Sequence, residues 1–412
     1  MESLNFVRCV LGICAVAAVL AGCGGSQPPI SAPGAMRQAT VPRILPGGSF
    51  KVLYRFDGPD GQAPQAGLID VDGTLYGTTN YGGKYGSGTV FSITTAGSEK
   101  VLHSFKGGAD GSSPQSGLLD VNGTLYGTTS LGGGLGGSGC LGYGCGTVYR
   151  VSLTGAEKVL HSFAGGSDGA APMAGLIDVN DTLFGTTAGG GSSKSGTVYS
   201  ISTTGSEKVL YSFTGGSDGA LPQGGLINVH GTLYGGTTFG GGSSGYGTVY
   251  RISTSGSEKV LHSFGGGDGA NPMGNLFDVN GTLYGTTSAA GGVHSRGTVY
   301  SISTTGVEKV LYDFRTAHGG HDGETPYAGL IDVKGTLYGT TDQGGGAPLY
   351  GVVYSVSTAG AETVLHRFGN GPDGAHPWAG LVNVKGTLYG TTLEGGSGCS
   401  GGGCGTVFAL TP

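Results

Sequence analysis

Thr74-Leu75-Tyr76-Gly77-Thr78-Thr79 decides the fold, because it returns six times with small changes, starting at Thr124, Thr182, Thr232, Thr282, Thr336 and Thr387. The successive spacings are 50, 58, 50, 50, 54 and 51 residues. A chain with 92 Gly and 16 Pro among 412 residues would otherwise suggest low complexity, but residues that recur at fixed spacing act as structural punctuation. A period near 50 with strand-like patterning fits propeller blades, since solenoid periods are usually shorter.

Working outward from the hexapeptide, one unit divides into four strands. GLIDV (67–71) leads through Asp72-Gly73 into the hexapeptide; a Gly-rich loop follows, then GTVFSITT (88–95), a tight turn, and KVLHSF (100–105). Asp-Gly between apolar runs is a strong hairpin signal, because a type I′ turn needs positive φ at both central residues. Asn122-Gly123, Asn280-Gly281 and Lys385-Gly386 repeat it, and Asn180-Asp181 is a poorer version. GLIDV and KVLHSF are nearly continuous apolar runs, as expected of blades covered on both faces. Glu99-Lys100, Glu157-Lys158, Glu207-Lys208, Glu258-Lys259 and Glu308-Lys309 open the fourth strand, which is therefore assigned to the rim, with the charges guarding a free edge.

The ends of the array set its topology. Residues 51–56 form a fourth-type strand with no blade before it, and residues 405–410 a third-type strand with no fourth after it. Pairing the two completes one blade and removes the free edge. The fold class is all-β: a seven-bladed β-propeller of four-stranded antiparallel blades over residues 50–412.

The combination of Gly-Leu-(Ile/Leu/Val), Gly-Thr-Leu-Tyr-Gly-Thr-Thr, a Gly-Gly loop and Gly-Thr-Val-(Phe/Tyr) resembles the GloVer repeat, a tandem-repeat family of bacterial exported proteins with varied surface anchors. The resemblance runs over residues 50–412. It implies a surface or extracellular repeat protein, and it carries no reaction and no catalytic residues.

The amino terminus has a different character. Residues 9–22 form an apolar run too short to span a membrane, following Arg8 and ending in Leu20-Ala21-Gly22-Cys23. That ending resembles the lipobox of bacterial lipoproteins, although Glu2 offsets Arg8 and leaves a weak basic start. The resemblance implies a signal peptide over 1–22 and lipidation of Cys23. Gly24 stands where inner-membrane lipoproteins often carry Asp, which points to the outer membrane or cell surface. Residues 23–49 are rich in Pro, Gly and Ser and are expected to form a disordered tether.

Charged residues make up 11% of the chain and the net charge is −6 with no basic run, which excludes the usual electrostatic footprint of a nucleic-acid binder. Cys140 and Cys145, like Cys399 and Cys404, form C-x4-C pairs in the second-to-third loop of repeats two and seven. In an exported protein local disulfides are expected, and repeats two and seven are too far apart to share one four-thiolate zinc.

Every blade-to-blade loop contains Asp-Gly-x-x-Pro, with the acid at Asp60, Asp110, Asp168, Asp218, Asp268, Asp322 and Asp373. Asp in such a loop accepts backbone N–H groups, so a scaffold role is preferred to an ion-binding ring. The residue after Pro varies: Gln65, Gln115, Met173, Gln223, Met273, Tyr327 and Trp378. Trp378 and Tyr327, with His376 and Glu324, make one sector aromatic and polar, and these four are the candidate ligand-binding residues. His103, His161, His262 and His366 exchange with Tyr54, Tyr211 and Tyr312 at one repeat position, which suits packing.

No H-E-x-x-H or P-loop occurs, and no catalytic residue, metal or cofactor is assigned. The leading expectation is a monomeric, lipid-anchored, non-catalytic scaffold that binds a glycan or a protein. A polysaccharide lyase or hydrolase using Trp378, His376, Glu324 and His321 is the alternative, and a structural surface protein without a specific ligand is the third.

Overall fold

The computed structural model describes residues 48–134, 140, 142–290, 295–315, 321–347, 349–369, 371–396, 398–399 and 402–412. The expected signal peptide, Cys23 and the expected tether as far as residue 47 lie outside the described residues.

The described strands form seven four-stranded antiparallel sheets. The first repeat shows the plan: β2 (Ile69–Val71), β3 (Thr74–Thr79), β4 (Thr89–Thr94) and β5 (Glu99–Ser104) lie side by side in chain order. The β2–β3 hairpin forms where the sequence placed it, with Asp72 at φ 52° and Gly73 at φ 83°. Asn180 and Asp181 adopt the same pair of left-handed angles at 54° and 61° without a glycine. The third-type strands are almost wholly buried, as in β4, whereas the innermost strands are three residues long and partly open.

The chain closes on itself. β1 (Ser49–Arg55) pairs antiparallel with β28 (Thr406–Thr411), from Ser49 opposite Thr411 to Arg55 opposite Thr406, and the first strand thereby supplies the rim of the last blade. This strand begins two residues before the expected boundary at residue 51.

Two sets of contacts hold neighbouring blades together. Near the axis, the fifth residue of the hexapeptide donates its hydroxyl to the next blade's innermost segment. Thr286 reaches the carbonyl of Ala328 at 2.7 Å and Thr340 that of Ala379 at 2.8 Å, while Thr391 crosses the seam to Ala66 at 3.3 Å. In the fourth blade Gly236 has no hydroxyl, and the backbone N–H of Gly225 instead donates to Asn275 Oδ1 at 2.6 Å.

Farther out, a buried Phe at the end of each rim strand meets the next blade's third strand edge to face. The seven pairs are Phe56–Phe91, Phe105–Tyr149, Phe163–Tyr199, Phe213–Tyr250, Phe264–Tyr300, Phe314–Tyr354 and Phe368–Phe408, with ring centroids 5.0 to 5.3 Å apart. Gly in the hexapeptide is required by this ring: a Cβ on Gly185 would lie 2.6 Å from the Tyr199 hydroxyl.

Cys140 is bonded to Cys145 and Cys399 to Cys404, with Cα atoms 5.2 Å apart in each pair. The second bridge packs at the seam, where Cys404 is buried beside Phe56 and its carbonyl accepts the N–H of Ala63.

Candidate functional site

The second-to-third loops and the blade-to-blade loops share one face. Each blade-to-blade loop makes a bridge to the residue two past the hexapeptide of the same unit, as in Gln62 with Tyr81, Glu324 with Gln343 and Ala375 with Glu394. Binding residues concentrate on long loops over a rigid scaffold, so this face holds both sites that stand out.

The first site is at the inner end of blades six and seven. Tyr327 and Trp378 stack with ring centroids 4.1 Å apart and planes 15° from parallel. Elsewhere in the ring this position is taken by polar or flexible side chains, such as Gln65, which accepts from Asn80, and Gln223, which accepts from Thr238. Next to the aromatic pair, His376 Nδ1 lies 3.3 Å from the buried carboxylate of Asp342. The hydrogen bond to Asp342 holds the His376 imidazole above its ordinary pKa, against the opposing effect of burial. Burial, helped by the charge of Asp342, pushes the Tyr327 phenol up to about 12.

The sequence-predicted group therefore assembles in part: Tyr327 and Trp378 stack, Asp342 lies near both Tyr327 and His376, and Glu324 turns to Arg296 instead. Glu324 is buried against Arg296 of the preceding blade, 3.8 Å from its Nε, and burial raises its carboxyl above the usual range. Glu324 is the first variable residue of Asp-Gly-x-x-Pro and His376 the second, the position at which the loop turns left-handed, with Thr325 at φ 60° and His376 at φ 58°. His321 uses its backbone carbonyl, which accepts from Arg367.

Sequence reasoning did not single out Asp342, nor the aromatic residues exposed on the second-to-third loops, Tyr85, Tyr143, Phe239 and Tyr246. A large apolar ring inside a Gly-rich loop was the available signal for the latter.

The second site repeats around the rim. In six of the blade-to-blade loops the aspartate is seen to hold its loop, as where Asp110 accepts from the N–H of Lys106 at 2.7 Å, Asp168 from Ala164 at 2.9 Å and Asp268 from Gly265 at 2.8 Å. The same carboxylate also faces the exchanging His or Tyr of the rim strand. Tyr54 donates to Asp60 at 2.5 Å, Tyr211 to Asp218 at 3.0 Å and Tyr312 to Asp322 at 2.7 Å. His103 Nε2 is 3.3 Å from Asp110 and His262 Nε2 is 2.8 Å from Asp268. The His and Tyr exchange is thus an exchange of partners for one aspartate, a role the packing interpretation missed.

The glutamates at the start of the rim strands complete these clusters, contrary to the expectation that they guard the outer edge. Lys100 and its counterparts are exposed, but Glu99, Glu157, Glu207, Glu258, Glu308 and Glu362 each turn one buried carboxylate oxygen inward, without a hydrogen bond. Each lies near the aspartate of the loop that precedes its blade. Burial first, and then that aspartate's charge, raises the carboxyl of Glu157 from its ordinary 4.5 to about 7 and that of Glu362 to about 8. In the last blade, whose rim strand is β1, the position is Phe50, whose ring stacks on His366 at 3.6 Å.

The pH dependence follows from the sign of these shifts. A carboxyl whose pKa rises on folding contributes its stability below the unfolded value near 4.5 and loses it as pH climbs through the folded value. Asp218, held low by bonds from Thr214 and Tyr211 despite its burial, acts in the opposite sense only at more acidic pH. The melting temperature is expected to fall between about pH 5 and pH 8, and E99Q/E258Q/E362Q to flatten that fall. Thermal unfolding across this range tests the assignment, and a wild-type profile level throughout contradicts it.

A family model described as the Gloeobacter/Verrucomicrobia repeat matches residues 30–141 and 136–348. None of the curated proteins matches the chain. Among solved structures, the PQQ-bound aldose sugar dehydrogenase of Streptomyces coelicolor is 13% identical over 90% of this chain and 99% of that one, with a TM-score of 0.46. A putative 6-phosphogluconolactonase of Bacteroides uniformis is 13% identical over 77% and 88%, with a TM-score of 0.47. A gluconolactonase of Xanthomonas campestris is 13% identical over 64% and 78%, with a TM-score of 0.40. These are likenesses of backbone alone.

Proposed function

The chain belongs to the Gloeobacter/Verrucomicrobia repeat family, and on that premise we propose that it is an exported, lipid-anchored binding scaffold that seats a glycan on its loop face. The observation that carries this reading is the stacked Tyr327–Trp378 pair beside Asp342 and His376. An aromatic face flanked by hydrogen-bonding groups suits a sugar ring, whose C–H face is apolar and whose hydroxyls need partners. Exposed Tyr85, Phe239 and Tyr246 on the same set of loops extend the apolar surface available to a longer polymer. Cys23 supplies the anchor and residues 24–49 the tether, so that the propeller stands off the bilayer. Several acyl chains on one residue, at about 0.8 kcal/mol per buried methylene, make the attachment effectively permanent.

One experiment with two variants tests this. Cell-wall polysaccharide pull-down and a glycan array are run with wild type and Trp378→Ala, and the Cys23→Ser chain is followed through membrane fractionation. Loss of the indole is expected to weaken retention about tenfold or more, as for an interface anchor worth roughly 2 kcal/mol, and Cys23→Ser to release the chain from the membrane fraction. Equal retention by wild type and Trp378→Ala removes the glycan site. A Cys23→Ser chain that stays with the membrane removes the lipid anchor. Shortened sugar products in the supernatant transfer support to a polysaccharide-cleaving enzyme.

A further inference from the structure

We propose that two of the rim clusters, His103–Asp110–Glu157 and His262–Asp268–Glu308, are binding sites for a divalent transition-metal ion of the zinc class. In each, one imidazole nitrogen and two carboxylate oxygens lie within 4.8 Å of one another and come from three separate segments: a rim strand, a blade-to-blade loop and the rim strand of the following blade. One nitrogen and two carboxylate oxygens form a ligand set that zinc accepts, with a fourth position left to water.

The spacing suits such an ion. Zinc bonds of about 2.0–2.2 Å in tetrahedral geometry place neighbouring ligand atoms about 3.4 Å apart. His103 Nε2 and Asp110 Oδ2 already stand 3.3 Å apart, and His262 Nε2 and Asp268 Oδ2, at 2.8 Å, need to separate by about half an ångström. The third donor is available, because one oxygen of Glu157 and one of Glu308 are buried without a hydrogen-bond partner.

The other blade interfaces act as controls built into the same chain. At the seam, between blades three and four and between blades five and six, Tyr54, Tyr211 and Tyr312 replace the imidazole and give a hydroxyl to the aspartate, so the nitrogen ligand is missing. Between blades six and seven His366 and Asp373 remain, but Phe50 of β1 replaces the glutamate. At the remaining interface His161 and Asp168 stand 3.6 Å apart with Glu207 nearby, and the three do not close to the same distance. Two ions per chain are therefore expected. Lys106 competes electrostatically for Glu157, whereas glycine stands at the equivalent position, Gly265, so the His262 site is the tighter of the two.

Equilibrium dialysis of the untagged full chain against Zn2+, with metal content read by atomic emission, tests the proposal. Wild type is expected to hold two equivalents, His103→Tyr and His262→Tyr one each, and the double variant none. The glycan retention of all four chains should be unchanged, since this site is independent of the Tyr327–Trp378 platform. Tyr is the residue the fold already carries at this position in three other interfaces, so the variants are expected to fold; melting temperatures without metal verify that. Failure of wild type to bind zinc, or binding by the double variant equal to wild type, overturns the proposal.

Discussion

Removing residues 51–56 is expected to lower the melting temperature by more than any single substitution in a blade and to drive the chain into oligomers. The deleted segment forms most of β1, whose ladder with β28 is the main backbone pairing between the two ends of the described chain. It carries Phe56, fully buried against Phe91 across the seam, and burying such a ring is worth about 3–5 kcal/mol on truncation. Domains are stable by only about 5–15 kcal/mol, so this loss with that of the ladder leaves the ring marginal. The third strand of the last blade would also become a free edge, with unpaired N–H and C=O groups that template association. Thermal unfolding and light scattering after size exclusion check both effects. A deletion variant that is monomeric and melts with wild type contradicts closure.

Phe213→Ala is expected to cost about 3–5 kcal/mol in denaturant unfolding. The ring is fully buried at the boundary of the third and fourth blades, 5.1 Å from Tyr250 and 5.2 Å from Tyr211 in edge-to-face contacts, among Leu226, Leu233 and Ile252. Phe occupies this place in all seven blades, and its truncation leaves a cavity that two rigid sheets cannot close. Tyr211→His, which exchanges two residues the fold uses interchangeably, serves as the control and should cost less than about 1 kcal/mol. Similar losses for the two variants would mean that Phe213 is not a wedge between blades.

What was legible in the sequence was local. The hairpin turns follow from residues that tolerate positive φ at Asp72-Gly73 and Asn180-Asp181, and the strand type at each end of the array foretold the seam. The rim clusters were hidden because they are assembled across repeats: Glu157 meets an aspartate 47 residues earlier, in the loop that enters its blade, and both face His103 of the blade before. Glu99-Lys100 resembles a solvated pair, yet alternation along the rim strand sends the lysine outward and the glutamate inward. Phe50 in β1, the one position without a glutamate, was the sign that this side chain faces a neighbour. At the inner site, grouping Glu324 with Trp378 failed because loop proximity does not fix side-chain direction.

The sealed ring, which places every loop on one face and every rim cluster between two blades, is tested most directly by hydrogen exchange on the intact chain. Amides of β1 and β28 are expected to exchange as slowly as those of an interior pair, β12 (Thr197–Ser202) with β13 (Glu207–Ser212). Rapid exchange confined to residues 49–55 and 406–411, with the other blades still protected, would show an open array.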